Sequence, residues 1–279
     1  MANNAGRRGA VLHDMSIASS IAACGDDIGR RAATHLDLAF RSFTGRSGGE
    51  LGPKFLRWIT REPHPMGNLV IAAGEGDAAS MREAIAPLVE QNLPSTAIFP
   101  RGVSAAASGA LQDSGFADIG AMPAMAVDID RVAATSMPEG YTFRRAGPDA
   151  SGDAWADALS AGYHMPLSLG RVFAPAAVGA DMARDAAVQF FSIERDGVAV
   201  ATSMLFLAEG LAGIYCVATR EEHRKRGLGA HVTAEPLRIA STLGYRVGVL
   251  QSSSAGHPVY LGLGFVDVAA IPMFARMPQ

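Results

Sequence analysis

Apolar positions change their spacing along the chain, and the changes mark out elements. An amphipathic stretch around Ile28–Phe40 reads as a first helix, and the apolar segment Met81–Val89 as a second, followed by a short strand at Thr96–Phe99. Further on, Tyr141–Arg145 alternates as a strand. Asp149–Gly162 is helix-like with a Ser/Asp start. Val188–Glu194 and Val198–Leu207 form two strands around Arg195-Asp196-Gly197, an Asp-Gly hairpin turn. Leu211–Thr219 is a third apolar strand. A charged loop follows at Arg220–Arg226, then a helix from Gly227 to about Leu243, with Gly244 where a left-handed C-cap is favoured. Arg246–Leu250, a short helix to Leu263 and Phe265–Ala270 complete the pattern. Pro236 falls inside the long helix, where it removes a backbone donor and predicts a kink or a change of packing.

The chain also repeats itself at an offset of 149. Gly115-Phe116-Ala117-Asp118-Ile119-Gly120-Ala121-Met122-Pro123 reappears as Gly264-Phe265-Val266-Asp267-Val268-Ala269-Ala270-Ile271-Pro272, and Pro87-Leu88 falls on Pro236-Leu237. The order helix, strand, helix, Gly-Phe, strand is shared. The pattern therefore predicts an α+β chain of two tandem α/β units, each a mixed, mostly antiparallel sheet flanked by helices. Met137–Gly140 reads as a linker between units 1–137 and 138–279.

Composition narrows the function classes. A chain of 279 residues suits two units, and 49% apolar with 18% charged residues suits a packed core. The net charge of −3 excludes the broad basic face that duplex nucleic acid requires. Cys24 and Cys216 stand far apart, so neither a disulfide framework nor a paired metal-ligand motif is expected, which fits a reducing, cytoplasmic compartment. There is no run of 18 apolar residues to span a membrane. Arg7-Arg8 ahead of Ile21-Ala22-Ala23-Cys24 superficially resembles an export signal, but His13 and Asp14 interrupt its apolar region, so a tail leading into the first helix is the reading preferred.

The most specific local feature is Arg224-Lys225-Arg226-Gly227-Leu228-Gly229, between an apolar strand and a helix. A helix start offers unpaired N–H groups and partial positive charge, so it receives anions. Gly227 and Gly229 allow close backbone approach, and three cations add attraction. The competing reading is a solvated basic turn whose glycines serve tight helix–strand packing. In the first half the same positions read Glu75, Asp77, Ala78 and Ser80, and Leu111 stands opposite Tyr260. Two cations become anions and both glycines vanish, so a pyrophosphate would be repelled there.

The spacing Arg-x-x-Gly-x-Gly after an apolar strand resembles the acyl-CoA loop of the GNAT acetyltransferase superfamily. Tyr260-Leu261-Gly262-Leu263-Gly264-Phe265 resembles the Tyr-x-x-x-Gly-Phe that follows that family's fifth strand. The resemblance covers most of Tyr141–Phe274 and implies acetyl-CoA as co-substrate, no metal, and direct transfer of the acetyl group to an amine. It further implies that the backbone of Val217, Ala218 and Thr219 pairs with pantetheine, and that a backbone N–H near Val217 polarises the thioester carbonyl. The loop residues Arg224, Lys225, Arg226, Gly227, Leu228, Gly229 and Ala230 would hold the pyrophosphate, and Tyr260 would protonate the leaving thiolate. The first half then reads as a degenerate copy without the cofactor loop.

Many family members carry a glutamate on the strand before the loop, whereas here that strand reads Gly213-Ile214-Tyr215-Cys216-Val217, with no carboxylate. Glu194, Glu209, His164 and a water chain stay open as the base. Cys216 reads as a small hydrophobe rather than a nucleophile. Trp58 and Trp155 read as packing residues, His257 as part of a turn, and at least one of Ser252–Ser254 as a helix cap. The expected acceptor is a small-molecule amine, the partners include neither nucleic acid nor membrane, and the chain is a monomer or homodimer. A silent acyl-CoA sensor and a protein acetyltransferase are the alternatives.

Overall fold

The computed structural model describes residues 20–45, 47–179, 182–183 and 185–278. Arg7, Arg8, His13 and Asp14 of the export-like stretch lie outside them.

The first half runs α1 (Ile21–Cys24), α2 (Asp27–Thr44), β1 (Glu50–Leu51), β2 (Phe55–Ile59), β3 (Asn68–Ala72), α3 (Ala78–Glu90), β4 (Ser95–Ile98), α4 (Ala105–Asp113) and β5 (Ala117–Asp128). The second runs β6 (Tyr141–Ala146), α5 (Ala150–Tyr163), α6 (Leu167–Val172), α7 (Pro175–Val178), β7 (Val188–Arg195), β8 (Val198–Ala208), β9 (Leu211–Thr219), α8 (Leu228–Thr242), β10 (Val247–Gln251), α9 (His257–Gly262) and β11 (Val266–Arg276). Each element expected from the pattern is present to within a few residues. Residues 132–137 carry neither helix nor strand, and a turn leads into β6.

All the strands join one sheet in the order β1-β2-β3-β4-β11-β5-β10-β9-β8-β7-β6. The halves are interleaved at its centre. The crossovers β4–α4–β5 and β10–α9–β11 each skip one place, and the skipped place is filled by the last strand of the other half. In the antiparallel β5–β11 pair, Ile271 lies opposite Met122, its own counterpart at the 149-residue offset. A pseudo-twofold axis therefore passes through this pair. The arrangement turns what would be two inner sheet edges into a continuous ladder, removing two exposed rows of backbone donors and acceptors.

Each half also solves its helix proline in the same way. Pro236 in α8 cannot donate to the Val232 carbonyl, and the Ser203 hydroxyl of β8 donates to that carbonyl instead, at 2.6 Å. Pro87 in α3 frees the Glu83 carbonyl, which accepts from Arg57 of β2 at 2.9 Å. Both helices thus remain continuous through their prolines.

One face of the sheet carries α2 and the α5–α7 group over a core that includes Trp155, fully buried, and Trp58, 1% exposed. The other carries α8 over the second half and α3 and α4 over the first. Both tryptophans are packing residues: the Trp58 indole N–H donates to the Ser47 carbonyl and the Trp155 indole N–H to the Phe191 carbonyl.

Candidate functional site

The site forms where β9 and β10 part. These parallel strands pair only at Gly248–Ala212 and Val249–Gly213. Beyond that point β10 stays with β5, and β9 continues along β8. The separation coincides with a bulge: Cys216 adopts φ +52°, and Cys216 and Val217 together stand opposite Ser203 alone. After the bulge Arg220 N–H donates to the Val200 carbonyl of β8 at 2.9 Å. By strand alternation the N–H groups of Val217 and Thr219 then face away from β8, into the split. The Cys216 carbonyl accepts from the Thr202 hydroxyl at 2.9 Å, and the Thr219 carbonyl from Arg224 Nε at 3.1 Å. Val217 is left as the open pairing position on this edge.

The split leads to the start of α8. Its N-cap, Gly227, sits at φ +78°, and no side chain caps the helix. Added methyl groups test the purpose of the two glycines. A Cβ on Gly227 would meet nothing within 4 Å, and one on Gly229 only the Thr219 hydroxyl at 3.9 Å. Tight helix–strand packing is therefore not why Gly229 is there. Its missing side chain leaves room outside the protein, next to uncapped amides. Lys225, itself at φ +59°, and Arg226 are exposed, with no hydrogen bond or ion pair among the described residues. Arg224 differs from them. Its guanidinium donates to the Thr219 carbonyl and, at 2.9 Å, to the Gly162 carbonyl, so it fastens the loop to the end of α5.

Tyr260, on α9, is 7% exposed and packs edge-on against Phe265. None of the described residues is hydrogen-bonded to its hydroxyl, so it is not a core aromatic with a satisfied polar end. Burial pushes its pKa up to about 12. Tyr163, at the end of α5, was not singled out by the pattern. Burial raises its pKa well above 10, and the nearby Cys216 thiol and Tyr260 hydroxyl add to that rise. Three protonated groups on three separate elements thus gather at the split. Cys216 itself is pushed up to about 12 by burial, so it stays a thiol and is no nucleophile at neutral pH.

The open candidates for a base are spread apart. Glu194 is paired with Arg144 at 3.2 Å on the β6–β7 ladder. Glu209 sits in the β8–β9 turn, at the end of β9 remote from Thr219. His164 is exposed at the left-handed C-cap of α5, next to Tyr163. The Ser253 hydroxyl accepts from Gly256 N–H at 3.2 Å and so steadies the turn before α9. His257 reaches Asp267 at 2.9 Å. Among the described residues no group of three or more metal-ligating side chains comes together, and no helix is long and apolar enough to cross a membrane.

Residues 156–265 match the acetyltransferase (GNAT) family. No curated protein matches the chain in sequence. Among solved structures, a GCN5-related N-acetyltransferase from Kribbella flavida is similar over 90% of this chain and 96% of its own, with TM-score 0.64 and 19% identity. Another, from Sphaerobacter thermophilus, is similar over 95% of this chain and 96% of its own, with TM-score 0.56 and 17% identity. A GCN5-related N-acetyltransferase-like protein from Streptococcus suis covers 88% of this chain and 99% of its own, with TM-score 0.52 and 12% identity. These likenesses establish the fold across both halves, and the family match falls on the half that contains the split strands and the uncapped helix. The match to the acetyltransferase (GNAT) family lies within this second half and supports reading the chain as an acyltransferase.

Proposed function

We propose that the protein transfers an acetyl group from acetyl-CoA to a primary amine of a small molecule by direct attack. The observation that carries this reading is the path from the split edge of β9 at Val217 to the uncapped start of α8 with its open glycines. An extended amide chain ending in a diphosphate fits such a path: amides pair with a strand edge, and a diphosphate suits helix-start N–H groups with open glycines beside them.

When bound, acetyl-CoA supplies the activated acetyl group as a thioester. The backbone of Val217, with Ala218 and Thr219 flanking it, orients the arm. The amides from Lys225 to Ala230, with the side-chain charges of Lys225 and Arg226, hold the diphosphate, while Arg224 holds the loop. The Val217 N–H would stabilise charge developing on the thioester carbonyl oxygen. Tyr260 is the proton donor to the departing sulfur: at neutral pH its raised pKa keeps it protonated, and its hydroxyl has no competing partner. Tyr163 supplies a second protonated hydroxyl beside it. The attacking amine loses its proton to His164 or to water, since neither Glu194 nor Glu209 stands beside the split. The first half, residues 1–137, is read as a degenerate copy without the cofactor loop.

The test combines calorimetry with CoA and release of free thiol from acetyl-CoA across a panel of small amines and lysine peptides. Tight CoA binding with amine-dependent thiol release supports the proposal. Binding without turnover above hydrolysis for any acceptor would make the protein an acyl-CoA sensor, and turnover confined to peptides would make it a protein acetyltransferase.

A further inference from the structure

Helix α2 belongs to the half without a cofactor loop, yet it lies across the fork of the other half and touches both lips. On the β9 side, the ring of His35 presses against the strand so closely that a Cβ on Gly213 would meet its Cε1 at 2.4 Å. His35 Nδ1 lies 2.7 Å from the Tyr215 hydroxyl, with the two rings within 2° of parallel. His35 is 1% exposed and Tyr215 9%. Tyr215 is the residue immediately before the positive-φ bulge at Cys216. One turn earlier on the same face of α2, the Ala32 carbonyl accepts from Gln251 Nε2 at 2.9 Å, and Gln251 is the last residue of β10. Arg31 adds a third tie, donating to the Glu209 carbonyl at 2.7 Å at the foot of β9.

We propose that α2 is a brace that sets the opening of the β9–β10 fork, and that His35 is its positioning residue, fixing Tyr215 and through it the Cys216–Val217 bulge. The catalytic half then depends on the silent half for the shape of its cofactor edge. A rigid helix anchored one turn apart on two diverging strands holds their separation. Without the Tyr215 bond only the Gln251 tie, the Arg31 tie at the foot of β9 and the helix packing would remain, and the bulged strand could close toward β10. Burial lowers the His35 pKa to about 4, so the imidazole is neutral at physiological pH and the tie does not depend on a charge. The consequence for coenzyme binding rests on the function proposed above. The brace itself does not.

The experiment uses the full chain with His35→Phe, which keeps a ring but loses the bond, and Tyr215→Phe, which loses the same bond from the other side while leaving His35 in place. Hydrogen exchange at the Ala218 and Arg220 amides, which face β8 just past the bulge, is expected in the ligand-free protein to speed up at least about fivefold in both variants. In the double variant no further increase is expected, because only one bond is removed. His35→Asn, which returns a polar atom near Nδ1, is expected to recover most of the protection. Calorimetry should then show CoA affinity falling about tenfold in each single variant and partly restored by His35→Asn. Unchanged exchange in Tyr215→Phe overturns the brace, whether or not His35→Phe folds. Faster exchange with no CoA binding even in the wild type overturns the function proposed above and leaves the brace standing.

Discussion

The starts of α3 and α8 occupy equivalent places in the two halves and are finished in opposite ways. Before α3, the Asp77 side chain accepts from Ser80 N–H at 2.8 Å, and the Ser80 hydroxyl accepts from Asp77 N–H at 3.4 Å, which makes a reciprocal capping box. Ser104 closes the same corner further, donating from its hydroxyl to the Gly76 carbonyl at 2.7 Å. Before α8 there is no capping side chain, and the positions matching Asp77 and Ser80 are Arg226 and Gly229. The strands ahead of the two helices differ in the same sense. β3 and β4 stay paired through Leu69–Thr96, Val70–Ala97 and Ile71–Ile98, whereas β9 and β10 separate after two pairs. One copy caps its helix start from its own side chains, and the other leaves its helix start uncapped beside parted strands. That difference separates scaffold from site more clearly than the fold does, since the fold is shared.

The comparison can be broken or sharpened by substitution, and the largest effect is expected at Tyr260, whose counterpart in the first half is Leu111. Tyr260→Phe should cut turnover about a hundredfold with CoA affinity within about twofold of wild type. Because its pKa is raised to about 12, the active protonated form persists as pH rises and is lost only near that value. The wild-type rate should therefore show no tyrosine-dependent fall up to about pH 10. A fall below pH 10 that disappears in Tyr260→Phe would contradict the assignment.

Next in size is a transplant of the silent ending into the live one. Arg226→Asp with Gly229→Ser should weaken CoA binding about thirtyfold, roughly 2 kcal/mol, by calorimetry. Arg224 is left alone because it is committed to the Thr219 and Gly162 carbonyls. Wild-type affinity in this variant would remove the anion-nest assignment.

The smallest effect is expected in the first half. The Ser80 amide and hydroxyl hold the Asp77 carboxyl below its usual range. A depressed carboxyl stabilises the fold at neutral pH and loses that contribution as pH falls through its lowered pKa. Asp77→Asn should lower the thermal midpoint at pH 7 by about one or two degrees, with the gap closing in acid, and should leave CoA affinity unchanged. Any effect on CoA binding would show that the capped copy is not silent.

Much of this was legible without coordinates. Strand and helix positions followed from period, because Val188–Glu194, Val198–Leu207 and Leu211–Thr219 each need only a local run of apolar residues between turns. The cationic Gly-x-Gly loop and Tyr260 were legible because their chemistry is carried by neighbours in the chain. Tyr163, Tyr215 and His35 were not, because each gains its role from a residue far away in sequence. Nor did the pattern reveal that Arg224 is a structural tie, since a guanidinium reads the same whether it faces a phosphate or a carbonyl.

The sequence by itself determined the repeat, the identity of the elements in each copy, and the opposite chemistry of the two helix starts, all of which depend on residue type and spacing. Which strand lies beside which was decided only in three dimensions. β5 and β11 carry nearly the same pattern, so either could complete either half-sheet, and local preference cannot choose between them. The choice comes from the two strand–helix–strand crossovers, each leaving a one-strand gap that only the other half can fill. It is also the folded chain that lays α2 across the second fork, where a histidine from the copy without a loop meets the strand that bears the split.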